Sequence, residues 1–313
     1  MRGVIAEAGK VRLTELENPS PNQLFIKVAE SGICGSDLHM VENGMAPVAI
    51  GHEFGGYLPD GSLVAVRPTG ECGECDSCRR GFQNACKLTW TSSYGIAQNG
   101  GLADFVVVDE QRVYPMLESA RPEDAALVEP LAVCWHGVRR ANPEKGSRAL
   151  VVGAGSIGLL TVAALREWGV EVDIVSRHAH QSAAAEALGA HVIDKPKAVS
   201  YMTTFDAVCN QETFDMCATA AMPGGVLLEL GMFWTPVQMS NTFMFKEITF
   251  IPSITYTHSN THDDFRESAD ALAKNHGIAD AVITHTFPLD DAVEAFRVAG
   301  DRASGAIKVH LRP

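Results

Sequence analysis

Four of the eight cysteines in this 313-residue chain fall at Cys72, Cys75, Cys78 and Cys86, within a single short stretch. Thiolates spaced Cys-x2-Cys-x2-Cys-x7-Cys can close a tetrahedral shell around one zinc ion. A closed shell leaves no open coordination position, so the metal expected here is structural and not catalytic. The other reading of clustered cysteines, a disulfide framework, belongs to oxidising compartments. Met1–Lys10 is polar and strand-like, without an apolar leader run, and sets the expectation of a cytoplasmic protein. Cys34, Cys134, Cys209 and Cys217 are scattered.

A second pattern, Gly153-Ala154-Gly155-Ser156-Ile157-Gly158, follows the apolar run Leu150–Val152 and opens a helical one. Glycines there permit a tight turn and let the backbone approach a pyrophosphate, which then rests on a helix N-terminus. The end of the next strand, Val172–Val175, selects the nucleotide. An NAD site carries Asp or Glu at that point to accept from the ribose hydroxyls. Here it holds Ser176, then Arg177 and His178, a hydroxyl and a guanidinium suited to a 2′-phosphate. Asp173, the competing acid, lies three residues early, inside the strand. NADP(H) is therefore expected in preference to NAD(H); the plainer reading of Arg177 is a solvated surface charge.

The elements that must position these residues change character along the chain. Short β-like runs at Leu24–Ala29, Leu63–Val66 and Ala103–Val108, broken by Gly, Pro and Asn, dominate the first 115 residues. A helical pattern spans Glu123–Arg140. From Ala149 strands and helices alternate: strand Leu150–Val152, helix Ile157–Trp168, strand Val172–Val175, helix Gln181–Leu188, strand His191–Ile193, then strands Ala207–Cys209, Val226–Leu230 and Ile248–Ile251. That alternation predicts an α/β region built on a parallel, doubly wound sheet. The tail predicts helices at Phe265–Lys274 and Asp290–Val298 and a last strand at Ala306–Leu311. The expected domains are residues 1–130 joined by 256–313, and residues 131–255.

With 25 Lys+Arg against 38 Asp+Glu the formal charge is -13, a poor surface for nucleic acid or an anionic membrane. The longest uncharged stretch, Ala149–Leu165, holds three glycines and reads as strand, turn and helix rather than as a membrane span.

A third cluster is Gly32-Ile-Cys34-Gly-Ser36-Asp37-Leu-His39, with Gly51-His52-Glu53 after it. Together with the four-cysteine loop and the glycine turn, it resembles the zinc-dependent medium-chain dehydrogenase/reductase family, the alcohol dehydrogenase superfamily. The likeness runs through nearly the whole chain. It implies a GroES-like β-rich catalytic domain beside a Rossmann domain. By motif position it makes Cys34 and His52 catalytic-zinc ligands. The third ligand falls at Glu129, in Val128-Glu129-Pro130-Leu131, a Glu-Pro that resembles the polyol, sugar and threonine dehydrogenase branch; Cys134 is the rival. The resemblance further implies that Ser36 takes the alcohol proton, His39 relays it, and Asp37 orients His52. Glu53 either approaches the metal or serves as a salt-bridged acid behind it.

Family members run some 30 residues longer, as the resemblance implies. The shortening falls after Gly55-Gly56, where Tyr57–Gly61 turns straight into the next strand, and near Cys209–Glu212. Trp90, Tyr94, Trp135, Phe233 and Trp234 are candidates to wall a substrate pocket. Asp263 and Asp264 read as a solvated face.

The resulting expectation is a zinc- and NADP-dependent dehydrogenase acting on a secondary alcohol, polyol or sugar, or the matching carbonyl, as a homodimer or homotetramer. An NAD-dependent threonine or amino-alcohol dehydrogenase is the alternative within enzymes. A low-turnover NADP(H)-sensing or scaffold protein is the alternative outside them.

Overall fold

The computed structural model describes residues 1–44, 48–301 and 303–313. The chain opens with the hairpin β1 (Arg2–Glu7) and β2 (Lys10–Glu15), then β3 (Phe25–Gly32) and helix α1 (Gly35–Glu42). Next come β4 (Glu53–Tyr57), β5 (Leu63–Val66), the single turn α2 (Asp76–Arg79), β6 (Phe105–Val107), β7 (Val113–Pro115) and the long helix α3 (Pro122–Ala141). The alternating region holds β8 (Arg148–Val152), α4 (Ser156–Glu167), β9 (Glu171–Val175), α5 (Ala179–Ala187) and β10 (His191–Ile193). It continues through β11 (Tyr201–Asp206), α6 (Gln211–Ala220), β12 (Ala221–Glu229), α7 (Thr242–Lys246) and β13 (Thr249–Pro252). The tail adds α8 (Asp264–Lys274), α9 (Gly277–Val282), β14 (Ile283–Pro288), α10 (Ala292–Gly300) and β15 (Lys308–Arg312).

Two compact units result, Met1–Glu129 with Thr257–Pro313, and Pro130–Tyr256. The boundary falls inside α3, at Glu129-Pro130. Proline has no N–H to give the Ala126 carbonyl, so the helix lacks a rung immediately after Glu129.

In the first unit a seven-stranded sheet runs β14-β15-β3-β4-β5-β7, with β6 also on β3; β14 and β15 are parallel and the other pairings antiparallel. The turn between β4 and β5 is tight, closed by Leu58 N–H donating to Ser62 O at 3.0 Å, with Gly61 at φ +88°. Two apolar clusters fill this unit. Val4, Ile33, Ile50, Leu102, Phe296 and Leu311 form one, and Ile26, Phe54, Val64, Tyr94 and Val106 the other.

The second unit is a six-stranded, wholly parallel sheet in the order β10-β9-β8-β11-β12-β13. Its order reverses between β8 and β11, and in such sheets ligands bind outside the strand ends at the reversal. Leu150, Phe214, Cys217, Leu227, Phe243 and Ile248 pack beneath it.

Two expectations need correction. The strand expected at Ala207–Cys209 lies earlier, at β11. Asp206 Oδ1 accepts the N–H groups of Val208 and Cys209 at 2.9 and 3.0 Å, which ends the strand, and Cys209 takes φ +65°. Asp263 and Asp264 are not a solvated face. Asp263 caps α8 by accepting from the N–H groups of Phe265 and Arg266, and buried Asp264 accepts the Thr257 N–H at 3.0 Å.

Candidate functional site

Cys34 ends the extended chain after β3 and is the N-cap of α1. Asp37, in the helix's first turn and fully buried, accepts the Cys34 N–H at 2.9 Å through Oδ2. Its other oxygen, Oδ1, lies 3.1 Å from His52 Nδ1. A carboxylate can only accept, so Nδ1 carries a hydrogen, and in the neutral ring Nε2 keeps its lone pair. Ser36 Oγ stands 3.4 Å from Nε2. Burial alone would lower the proton affinity of His52, but Asp37 and Cys34 beside the ring raise it well above the ordinary imidazole value.

Donor atoms of Cys34, His52 and Glu53 all lie within 4.8 Å of one another. Glu53 is already engaged. Lys308 Nζ, on β15, donates to Oε1 at 2.8 Å and Oε2 at 2.6 Å, and to Ile33 O at 3.2 Å. Both side chains are almost wholly buried, at 1% and 2% exposure. Glu129, on α3, is buried alongside. Burial pushes its carboxyl up to about 7; Glu53 and Asp37 add to that, while His52 and Lys308 oppose it. Cys134 lies elsewhere, buried in the second unit with its thiol donating to Ile157 O at 3.3 Å. His39 is part-exposed on α1, with Nδ1 3.5 Å from Glu42. Lys308 escaped sequence reasoning. The signal was a lysine within the apolar run Ala306-Ile-Lys308-Val-His310-Leu311, which could be buried only with a carboxylate partner.

The four-cysteine loop forms a second nest. Its sulfurs stand 3.6 Å apart for Cys75–Cys78 and Cys72–Cys86, and 3.9 Å for Cys75–Cys86. A tetrahedron with zinc–sulfur arms of about 2.3 Å has edges of about 3.8 Å, so the separations fit zinc. Backbone N–H groups of Cys72, Cys75 and Leu88 point at the sulfurs, at 3.3 to 3.4 Å. The Cys78 N–H draws the Cys75 thiol down to about 6, and burial drives Cys78 up to about 12.

In the second unit Gly153 turns with φ +97°. A Cβ on Gly158 would sit 1.8 Å from Gly153 O, so only glycine lets α4 approach the turn, whereas a Cβ on Gly155 would meet open space. That is room for a phosphate against the α4 N-terminus, where Ala154, Ser156 and Ile157 complete the turn. Ser176 Oγ donates to His178 O at 3.3 Å, and His178 is the N-cap of α5. Arg177 pairs at 2.9 Å with Glu212 of α6, both well exposed, a partner the sequence did not suggest. Asp173 is occupied by Arg148, His191 and Tyr201.

Among the aromatic candidates, Tyr94 and Trp135 are buried. Tyr94 Oη accepts the Asp109 N–H, and Trp135 meets Trp168 edge-on. Phe233 packs on Phe214, while Trp90 and Trp234 are exposed. No helix among the described residues is long and apolar enough to cross a membrane.

Comparison with known proteins gives the same picture. The family described as "Alcohol dehydrogenase GroES-like domain" matches residues 20–118, and "Zinc-binding dehydrogenase" matches residues 156–275. D-arabitol-phosphate dehydrogenase of Enterococcus avium is 30% identical over 95% of this chain and 93% of its own length. L-galactonate-5-dehydrogenase of Escherichia coli is 29% identical over 90% and 89%. Among solved structures, L-idonate 5-dehydrogenase of Escherichia coli superposes with a TM-score of 0.88 at 26% identity, covering 100% of this chain and 97% of that one. A protein assigned as a zinc-binding dehydrogenase from Sinorhizobium meliloti 1021, bound to NADP, gives 0.89 at 27% identity, covering 100% and 99%. With its GroES-like and Rossmann halves, the chain belongs to the zinc-dependent medium-chain dehydrogenase/reductase family, in the polyol and sugar dehydrogenase branch.

Proposed function

We propose that this chain is a zinc-dependent oxidoreductase that moves a hydride between NADP(H) and a secondary alcohol, polyol or sugar, or the matching carbonyl. Cys34, His52 Nε2 and Glu129 would hold the catalytic zinc. The observation that carries this reading is how the polar groups around His52 are shared out. Asp37 takes Nδ1 and Lys308 takes both Glu53 oxygens, which leaves Cys34, Nε2 and Glu129 as donors. Three ligands of these types suit a site that keeps a fourth position for substrate. When bound there, zinc supplies Lewis-acid polarisation of a substrate oxygen. Ser36 Oγ accepts the alcohol proton, and His39, one turn along α1, passes it toward solvent. Asp37 acts through His52 by fixing its tautomer.

For the cofactor, the glycine turn receives the pyrophosphate, and Ser176, Arg177 and His178 receive the 2′-phosphate. An exposed pair such as Arg177–Glu212 contributes only about 0–1 kcal/mol, so a phosphate can displace Glu212. Arg177→Ala is expected to weaken NADP binding by about 1.5–3 kcal/mol, a charge-assisted contact, and to leave NAD nearly unchanged. Equal losses for both cofactors, measured by fluorescence titration, would sink the phosphate clamp.

The four-cysteine nest would hold a structural zinc. Cys78→Ala should cost one zinc per chain and lower the Tm while leaving the second zinc in place; mass spectrometry of bound metal and a thermal melt check this. The cytoplasm is the proposed compartment.

A homodimer or homotetramer is also proposed. Among the described residues strand β13 is the last of its sheet, and beside it in the chain Met244 and Phe245 are 67% and 79% exposed. Phe245→Glu should shift the mass by light scattering to that of one chain, and an unchanged mass would remove this face from the interface.

The decisive experiment is a steady-state rate with NADP and with NAD over simple alcohols, polyols, sugar acids and threonine. The relatives above, whose names specify a polyol phosphate and sugar acids, put the second and third classes first. Turnover with NAD alone would retain the zinc reading and overturn the role given to Ser176 and Arg177. No turnover by zinc-loaded protein that binds NADP would overturn the dehydrogenase reading.

A further inference from the structure

Strands β11 and β12 each place an acid at the same level of the parallel sheet, Asp206 opposite Glu229. Two carboxylates directly across a strand pair repel, and burial strengthens the repulsion. Their surroundings are unequal. Asp206 Oδ1 is filled by the Val208 and Cys209 N–H groups, while Oδ2, which accepts only from Thr213 Oγ1 at 2.9 Å, keeps a lone pair. Glu229, only 2% exposed, accepts no N–H or O–H hydrogen bond at either carboxylate oxygen among the described residues; the group against it is the Cys209 thiol. A buried carboxyl in that position needs a proton or a cation.

The group beside it is a thiol. The donor atoms of Asp206, Cys209 and Glu229 all lie within 4.8 Å of one another, and all three residues are buried. Gly231 makes room for the sulfur, because a Cβ there would sit 2.4 Å from Cys209 Sγ. Donors that orient Asp206 are what a metal-ligating carboxylate carries behind it.

We propose that Asp206, Cys209 and Glu229 form a further metal site, in the nucleotide-binding unit, that takes a divalent cation of the zinc class. A thiolate with two carboxylates selects such a borderline ion over magnesium or calcium, which prefer all-oxygen shells. The Glu229 carboxylate, beside the Cys209 sulfur, becomes a ligand with it, and the facing acids are neutralised together.

The test is a metal count on the full-length protein, loaded with zinc and desalted, by inductively coupled plasma mass spectrometry. Wild type should hold one more zinc per chain than Glu229→Gln or Cys209→Ser. Both variants should keep the metal of the four-cysteine nest and of Cys34 and His52. Titration of stripped wild type with Co2+ should show a thiolate-to-cobalt band whose intensity falls in Cys209→Ser, which reports the site without relying on activity. If wild type and Glu229→Gln bind the same number of ions and cobalt gives the same spectrum in wild type and Cys209→Ser, the proposal is wrong. A Glu229→Leu protein that melts higher with no change in metal count would likewise overturn it, identifying Glu229 as a buried acid that simply holds its proton.

Discussion

Glu129→Ala is expected to reduce turnover on the order of a thousandfold and to remove one zinc per chain. The magnitude follows from the loss of Lewis-acid stabilisation worth several kcal/mol, at about 1.4 kcal/mol per decade of rate. The prediction is discriminating because Glu53, not Glu129, shares the 4.8 Å cluster with Cys34 and His52. If Glu53 were the third ligand, Glu53→Gln would strip the metal and Glu129→Ala would leave metal and rate untouched. The two hydrogen bonds from Lys308 argue that Glu53 is taken and Glu129 is not.

A pH dependence accompanies this assignment. In zinc-stripped protein the Glu129 carboxyl sits at about 7, because burial disfavours its charge. The folded chain then holds a proton that the unfolded chain has released, so stability falls as pH rises from the ordinary carboxylate range toward 7. The sum is roughly 3 kcal/mol at 1.36 kcal/mol per pKa unit. His52, raised by Asp37 and Cys34, pushes in the same direction at higher pH. Zinc replaces these protons, so urea melts of loaded protein should lose most of the slope. A slope that persists unchanged with zinc would place the titrating groups outside the metal shell.

What was legible in the sequence was local. The four cysteines and the glycine turn each declare a geometry within one loop, because the spacing itself fixes which atoms can meet. Helix and strand alternation from Ala149 onward is likewise a short-range signal, and the six-stranded parallel sheet follows it. Partners supplied from far along the chain were not legible. Lys308 reaches Glu53 across 255 residues, Glu212 reaches Arg177 across 35, and Asp206 faces Glu229 only because β11 and β12 are neighbours. Helix α1 was missed for a different reason. It is short, it carries a glycine and the β-branched Val41, and its first turn is closed by Asp37 accepting the Cys34 N–H from inside the protein. The reading of Asp263 and Asp264 as solvent-facing failed because paired acids look alike whether they cap a helix or sit in water.

Lys308→Met carries the second large effect. The lysine and Glu53 are a buried ion pair, and removing one partner strands the other charge in a low-dielectric interior. Such losses cost about 3–5 kcal/mol. Lys308→Met should therefore unfold at markedly lower denaturant, whereas the double change Glu53→Leu with Lys308→Met, which removes both charges, should recover most of that loss. The functional consequence differs from simple destabilisation. Glu53, released from Lys308, lies within reach of Cys34 and His52. It can then fill the position that substrate needs, so kcat should fall while zinc content stays at the wild-type level and zinc is released more slowly to a chelator. A single variant with wild-type stability would show that Glu53 takes up a proton, or finds another donor, once the lysine is gone. Retained stability together with retained kcat would remove Lys308 from any part in holding Glu53 away from the metal.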